Sequence, residues 1–178
     1  CGGVVEVFYP TGGVGPGFDL PWSNTRMRIR YGELSLGAGF NGHGKSNLLG
    51  QVVSHAQRCG ERACIASLEI RAEKTLSRMV RQEIRTDRPT PNAIMQLMDE
   101  WHNDLWIFDL QGTGKVDRML DVFEYAYRRY GVKQFVVDSL MKCGIAEDDY
   151  NGQKDVADRL KDFCNKHQVS VHLVVHSR

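Results

Sequence analysis

The chain has 178 residues, 42% of them hydrophobic, with 23 basic against 22 acidic residues and a pI near 7.8. That length and apolar content suit one domain with a real core and exclude a peptide or a disordered segment. The near-neutral balance leaves no global field to recruit nucleic acid or membrane, so any polyanion contact must be local.

Residues 1 to about 30 hold much of the glycine, around one strand-like piece, Val4–Tyr9, and read as a linker or edge segment. Arg26, Arg28 and Arg30 alternate with Met27 and Ile29, as in a short edge strand with one cationic face. The domain proper is expected over residues 31–178. Its first strand-like run, Leu34–Ala38, leads into Gly39-Phe40-Asn41-Gly42-His43-Gly44-Lys45-Ser46, which fits the phosphate-binding pattern G-x-x-x-x-G-K-[ST]. A helical pattern carrying Leu48, Leu49, Val52, Val53 and Ala56 follows, so strand, glycine loop and helix stand in the required order.

The chemistry explains the residue types. Gly39, Gly42 and Gly44 let the backbone curl so that consecutive N–H groups face one anion, and the helix start adds about half a positive charge. Lys45 can reach the outer phosphates as a point charge, and the Ser46 hydroxyl can take one position on Mg²⁺. The expected nucleotide contacts are Gly39, Asn41, Gly42, His43, Gly44, Lys45, Ser46 and Asn47, with His43 at a variable, solvent-facing position. A nucleoside triphosphate, ATP or another NTP, with Mg²⁺ is the natural ligand.

Further along, Arg62–Glu69 reads as a buried strand ending on a carboxylate, followed by a helix with Ala72, Leu76, Met79, Val80 and Ile84 on one face and basic residues opposite. Thr90-Pro91 has the form of an N-cap and first-turn proline, opening a helix that runs to about His102. Leu105–Asp109 is the next strand. A helix from Val116 to Tyr130 is stopped by Gly131, and Gln134–Asp138 is another strand. A polar loop from about Lys142 to Lys154, a helix with Val156, Leu160 and Phe163, and a strand from Val169 to Val175 complete the chain. Strands alternating with helices predict an α/β fold with a mainly parallel sheet flanked by helices. Near-continuous apolar runs predict strands buried on both faces.

Ligands of such sheets bind at the carboxyl ends of the strands, where the glycine loop, Glu69, Asp109, Asp138 and His176 are all expected. Triphosphate hydrolysis needs an acid to hold Mg²⁺ and a group to activate water. Pattern favours Asp138 over Asp109 as the metal-holding acid, and either acid has the alternative of capping the next turn. The five cysteines, Cys1, Cys59, Cys64, Cys143 and Cys164, show neither C-x-x-C nor Cys/His metal spacing. Cys59, Cys64 and Cys164 sit in apolar patterns and are expected as buried, reduced thiols of a reducing compartment. No apolar run approaches membrane-spanning length, and no signal-peptide pattern opens the chain.

Together these motifs resemble the RecA-type core of hexameric replicative DNA helicases, including the DnaB type, the phage primase-helicases and the mitochondrial Twinkle type. The pieces that carry the resemblance are Gly32-Glu33-Leu34, Gly39–Ser46, Ser67-Leu68-Glu69, Phe135-Val136-Val137-Asp138-Ser139 and His172-Leu173-Val174-Val175-His176-Ser177-Arg178. The resemblance implies a RecA-like P-loop NTPase, C-terminally incomplete, cut before the arginine finger and the second DNA loop, and therefore weakly active alone. It implies Lys45 and Ser46 on phosphates and Mg²⁺, Asp138 on Mg²⁺ through its shell, Glu69 activating water and His176 sensing the terminal phosphate. The DNA loop after Asp138 would offer Lys142 and Lys154. The implied function is ATP-driven translocation on single-stranded DNA and duplex unwinding by a hexameric ring, with primase a candidate partner and no membrane. The implied address is the cytoplasm of a bacterial or phage-infected cell, with a mitochondrial one left open. The alternatives are a recombinase or clock-type RecA-like remodelling ATPase, and a nucleotide-gated binding module such as a helicase loader.

Overall fold

A computed structural model describes residues 18–19, 26–27, 34–39, 43–139, 143–144 and 149–176, with side chains for 49–139, 143–144, 149 and 151–174. Two short strands, β1 (Phe18–Asp19) and β2 (Arg26–Met27), pair antiparallel, and Arg28 and Arg30 lie outside the described residues. Then follow β3 (Leu34–Gly39), α1 (His43–Arg58), β4 (Ala63–Ser67), α2 (Ala72–Ile84), α3 (Pro91–Trp101) and β5 (Leu105–Asp109). The remaining elements are α4 (Lys115–Tyr130), β6 (Gln134–Asp138), α5 (Tyr150–His167) and β7 (Ser170–His176). Val4–Tyr9 lies outside the described residues.

The five longer strands form one parallel sheet in the order β3-β7-β6-β4-β5. β4 and β6 are buried at every position, as their unbroken apolar runs require of strands covered on both sides. β5, with a single described neighbour, is half-buried throughout. On one face, Met119, Phe123 and Ala126 of α4 and Leu160, Phe163 and Cys164 of α5 pack on Phe135, Val137, Val171 and Leu173. On the other, α1 supplies Leu49, Val52, Val53 and Ala56 at helical spacing, and α2 and α3 supply Met79, Val80, Leu97 and Trp101, against Ile65, Val136 and Val174. The sheet is thus sandwiched between two helical layers.

Helix ends follow their capping chemistry. Thr90 Oγ1 accepts from the Ala93 N–H at 3.2 Å with Pro91 in the first turn, and Gly131 closes α4 at φ 65° in the left-handed region that glycine adopts without strain. The polar loop is shorter than its composition suggests. Asp149 Oδ1 accepts from the Gly152 N–H at 2.9 Å and starts α5 at Tyr150, so Lys154 lies on a helix and not in a loop. Cys64, Cys143 and Cys164 are buried, and burial pushes their thiols up to about 12, about 11 and about 12. Cys59 departs from expectation: it is half-buried, with its Sγ 3.7 Å from His55 Nε2, because it stands in the turn after α1.

A buried polar chain ties the amino ends of three strands. Gln134 Nε2 donates to Glu61 Oε2 at 2.8 Å, which turns the Gln134 carbonyl toward His172 Nε2 at 2.9 Å. His172 must therefore carry its proton on Nε2. Burial, reinforced by nearby His55, pushes the His172 pKa down from 6.5 to about 3. The unfolded chain then binds a proton that the folded chain refuses between those values, so stability is full above 6.5 and declines as pH falls toward about 3. Urea unfolding midpoints should fall across that window, and less steeply in His172→Gln; equal slopes would show that His172 is not the group responsible.

Candidate functional site

The parallel register lines up the strand ends. Gly39 is opposite His176, Asp138 is opposite Val174 on one side and Ser67 on the other, and Ser67 is opposite Asp109. With strands about 4.8 Å apart and a rise of about 3.3 Å per residue, Gly39 and Asp138, two strands and two residues apart with β7 between them, are separated by about 12 Å. From Gly39 the chain enters α1 at His43, placing Gly44, Lys45, Ser46 and Asn47 in its opening turns. The first turn of α1 carries no acidic residue, so its unpaired N–H groups and positive dipole end meet no competing carboxylate from the helix itself. Asn41, Gly42 and Lys142 lie outside the described residues, and His176 is placed by its backbone as the last residue of β7.

Strand alternation decides which face each acid serves. Ile65, Ile107 and Val136 pack toward α1, α2 and α3, so Ser67, Asp109 and Asp138, each two residues on, lie on that same face. Asp138 is 5% exposed, at the end of the strand next to β7, and the Asp138–Ser139 peptide is cis. Asp109, on β5, has a different occupation: its Oδ2 accepts from the Ala72 N–H at 2.8 Å and caps α2. Asp109 thus caps, but what it caps is α2, which precedes β5 in the chain, and not the next turn.

Glu69 does not end β4 but stands exposed in the turn two residues beyond it. Several groups to which the sequence assigned no role hold that turn. Ser67 Oγ donates to the Ile70 carbonyl at 2.7 Å and lies 2.7 Å from Thr75 Oγ1 of α2. The Leu68 N–H donates to the Asp138 carbonyl at 2.7 Å, the Leu68 side chain is buried, and Lys115 Nζ donates to the Leu68 carbonyl at 3.4 Å. The only sequence signal for these was the Ser67-Leu68-Glu69 triplet; Thr75 and Lys115 come from other elements and are visible only in three dimensions. Lys154 is exposed in α5.

The donor set fits Mg²⁺ bound with a triphosphate, since that ion takes few protein ligands and keeps phosphate and water oxygens. One hydroxyl residue, Ser46, opens α1, and one buried carboxylate, Asp138, lies on the face that α1 covers.

No protein-family model matches the chain, and no curated protein sequence does. Among solved structures it is similar to a KaiC-like protein from the hyperthermophilic archaeon Pyrococcus horikoshii OT3, at 20% identity and a TM-score of 0.59. The match covers 83% of this chain and 62% of that one, so the chain spans under two thirds of its neighbour's length. The fold is therefore α/β and RecA-like.

The bonds above separate support from chemistry. Ser67→Ala, which strips a partner from Thr75 and Ile70, should cost about 1–3 kcal/mol in urea unfolding. Asp109→Ala should cost about 1 kcal/mol, the loss of a helix cap, without weakening Mg–ATP binding. A larger effect of Asp109→Ala than of Asp138→Ala on Mg–ATP affinity would reverse the assignment of the two acids.

Proposed function

We propose that this chain is the NTPase core of a motor of the replicative-helicase kind, driven by ATP along single-stranded DNA. The observation that carries the proposal is the row of Gly39, His176, Asp138 and the Glu69 turn along one edge of a parallel sheet, beside the start of α1. Mg²⁺ bound there with ATP would neutralise charge on the β- and γ-phosphates. In this reading Gly39, Gly44 and the opening N–H groups of α1 cradle the phosphates, and Lys45 adds a cation at the γ end. Ser46 and Asp138 hold the metal, directly or through water. Glu69, in a turn anchored by Ser67 and Leu68, accepts a proton as water attacks in line, and His176 responds to loss of the γ-phosphate beside Gly39.

A second reading, a RecA-like remodelling ATPase that does not unwind DNA, draws support from the KaiC-like neighbour. The two part on DNA. In the full-length parent, single-stranded DNA should stimulate ATP hydrolysis and labelled duplex should be separated. Glu69→Gln should keep Mg–ATP affinity while losing about 10²–10⁴ in turnover, as removal of a general base does. Turnover indifferent to DNA would favour the remodelling reading, and full turnover in Glu69→Gln would remove Glu69 from the chemistry.

A further inference from the structure

We infer that the outer face of α2 is a second contact for a nucleic-acid strand, separate from the loop after β6. Arg71, Lys74, Arg78, Arg81, Arg85 and Arg88 recur at alternating intervals of three and four residues, and all six are exposed. Thr75, Met79 and Val80 face the core, so within the helix Lys74, Arg78 and Arg81 lie on the side turned away from the sheet. Within α2, Lys74, Arg78 and Arg81 follow one another about 5 Å apart along about 10 Å of the axis, with Arg71 and Arg85 at its two caps and Arg88 beyond.

Charge runs are usually solvated faces whose members pair with acids nearby. The other outer layer behaves that way: Arg128 bonds Glu124 at 2.7 Å and Arg159 bonds Asp117 at 2.5 Å. Among the described residues none of the six cations near α2 makes a side-chain ion pair. Three acids, Glu73, Glu83 and Asp87, stand in the same stretch against six basic residues, a local excess in a chain whose total charge is +1. Unpaired arginines in a row suit a phosphate backbone, which supplies a regular line of anions. The groove between α2 and α3 is lined by Leu76, Val80, Ile94 and Met98 together with Arg81 and Asp87.

The location gives the contact a use. The Ala72 N–H is held at the carboxyl edge by Asp109, and Arg71 stands two residues after Glu69. A strand on this face starts beside the candidate NTP site and runs away from it along α2. The inference rests on the DNA-motor reading for the identity of the strand, but its measurement needs no nucleotide.

Binding of a fluorescent oligo(dT) would be followed by anisotropy across a salt series, in the absence of nucleotide, for the wild-type chain and the triple variant Lys74→Gln, Arg78→Gln, Arg81→Gln. A control triple, Arg129→Gln, Lys161→Gln, Lys166→Gln, removes equal charge from exposed positions on α4 and α5. Circular dichroism and Mg–ATP affinity, which should match wild type, report folding of each variant. The α2 triple should weaken binding about tenfold or more and flatten the slope of log K against log salt by about 2, at about 0.7 per lost single-strand contact. The control should change neither as much. Equal losses in both triples would overturn the inference while leaving the NTPase reading intact. Tighter binding of poly-L-glutamate than of oligo(dT), abolished by the α2 triple, would overturn it in favour of an acidic protein partner. Failure of ATP hydrolysis by the full-length parent, beside normal, α2-dependent strand binding, would sink the motor and spare the contact.

Discussion

Parallel pairing of β3, β7, β6 and β4 in a fixed register is the constraint on which the rest of the molecule depends. Because the strands run the same way, every carboxyl end emerges at one edge, and residues far apart in sequence meet there. Parallel strands need crossover helices, and those helices cover both faces. The apolar face of α1 at Leu49, Val52, Val53 and Ala56 is therefore part of the site's construction: it locks the helix whose opening turns carry Lys45 and Ser46 onto the face that holds Asp138.

Hydrogen bonds between elements hold several of the polar groups close to this edge, which lowers the cost of burying them. Ser67, fully buried, donates its hydroxyl proton to the Ile70 carbonyl and accepts from Thr75 Oγ1. Asp109 finds the α2 N-terminus. At the opposite edge of the sheet the Glu61–Gln134–His172 chain does the same for two buried side chains. Beyond β4 on the carboxyl edge, Glu69 itself stands exposed.

Local signals were legible in the sequence and non-local ones were not. The limits of α2, α3, α4 and β5 follow from helical spacing, from Thr90-Pro91 and from Gly131, all features within one element. The start of α5 falls inside the stretch from about Lys142 to Lys154 that its polar composition marks as loop, although Asp149 is an N-cap, and a cap is a local signal. The order of strands was out of reach, since pairing is decided between elements. So was the difference between Asp109 and Asp138, two strand-end acids with the same local pattern; only the approach of Ala72 to one of them separates their uses. The Lys115 contact was out of reach for the same reason, whereas Cys59 is half-buried for a local one, its place in the turn after α1.

The account stands on the carboxyl edge being a triphosphate site, and one calorimetric titration addresses that directly. Mg–ATP titrated into the wild-type chain and into Lys45→Ala should give saturable binding in the first and a loss of affinity in the second, with both unfolding at similar urea concentrations. Equal affinity in the two proteins, or no binding in a folded wild type, would contradict the assignment of the glycine loop and the row of residues beside it.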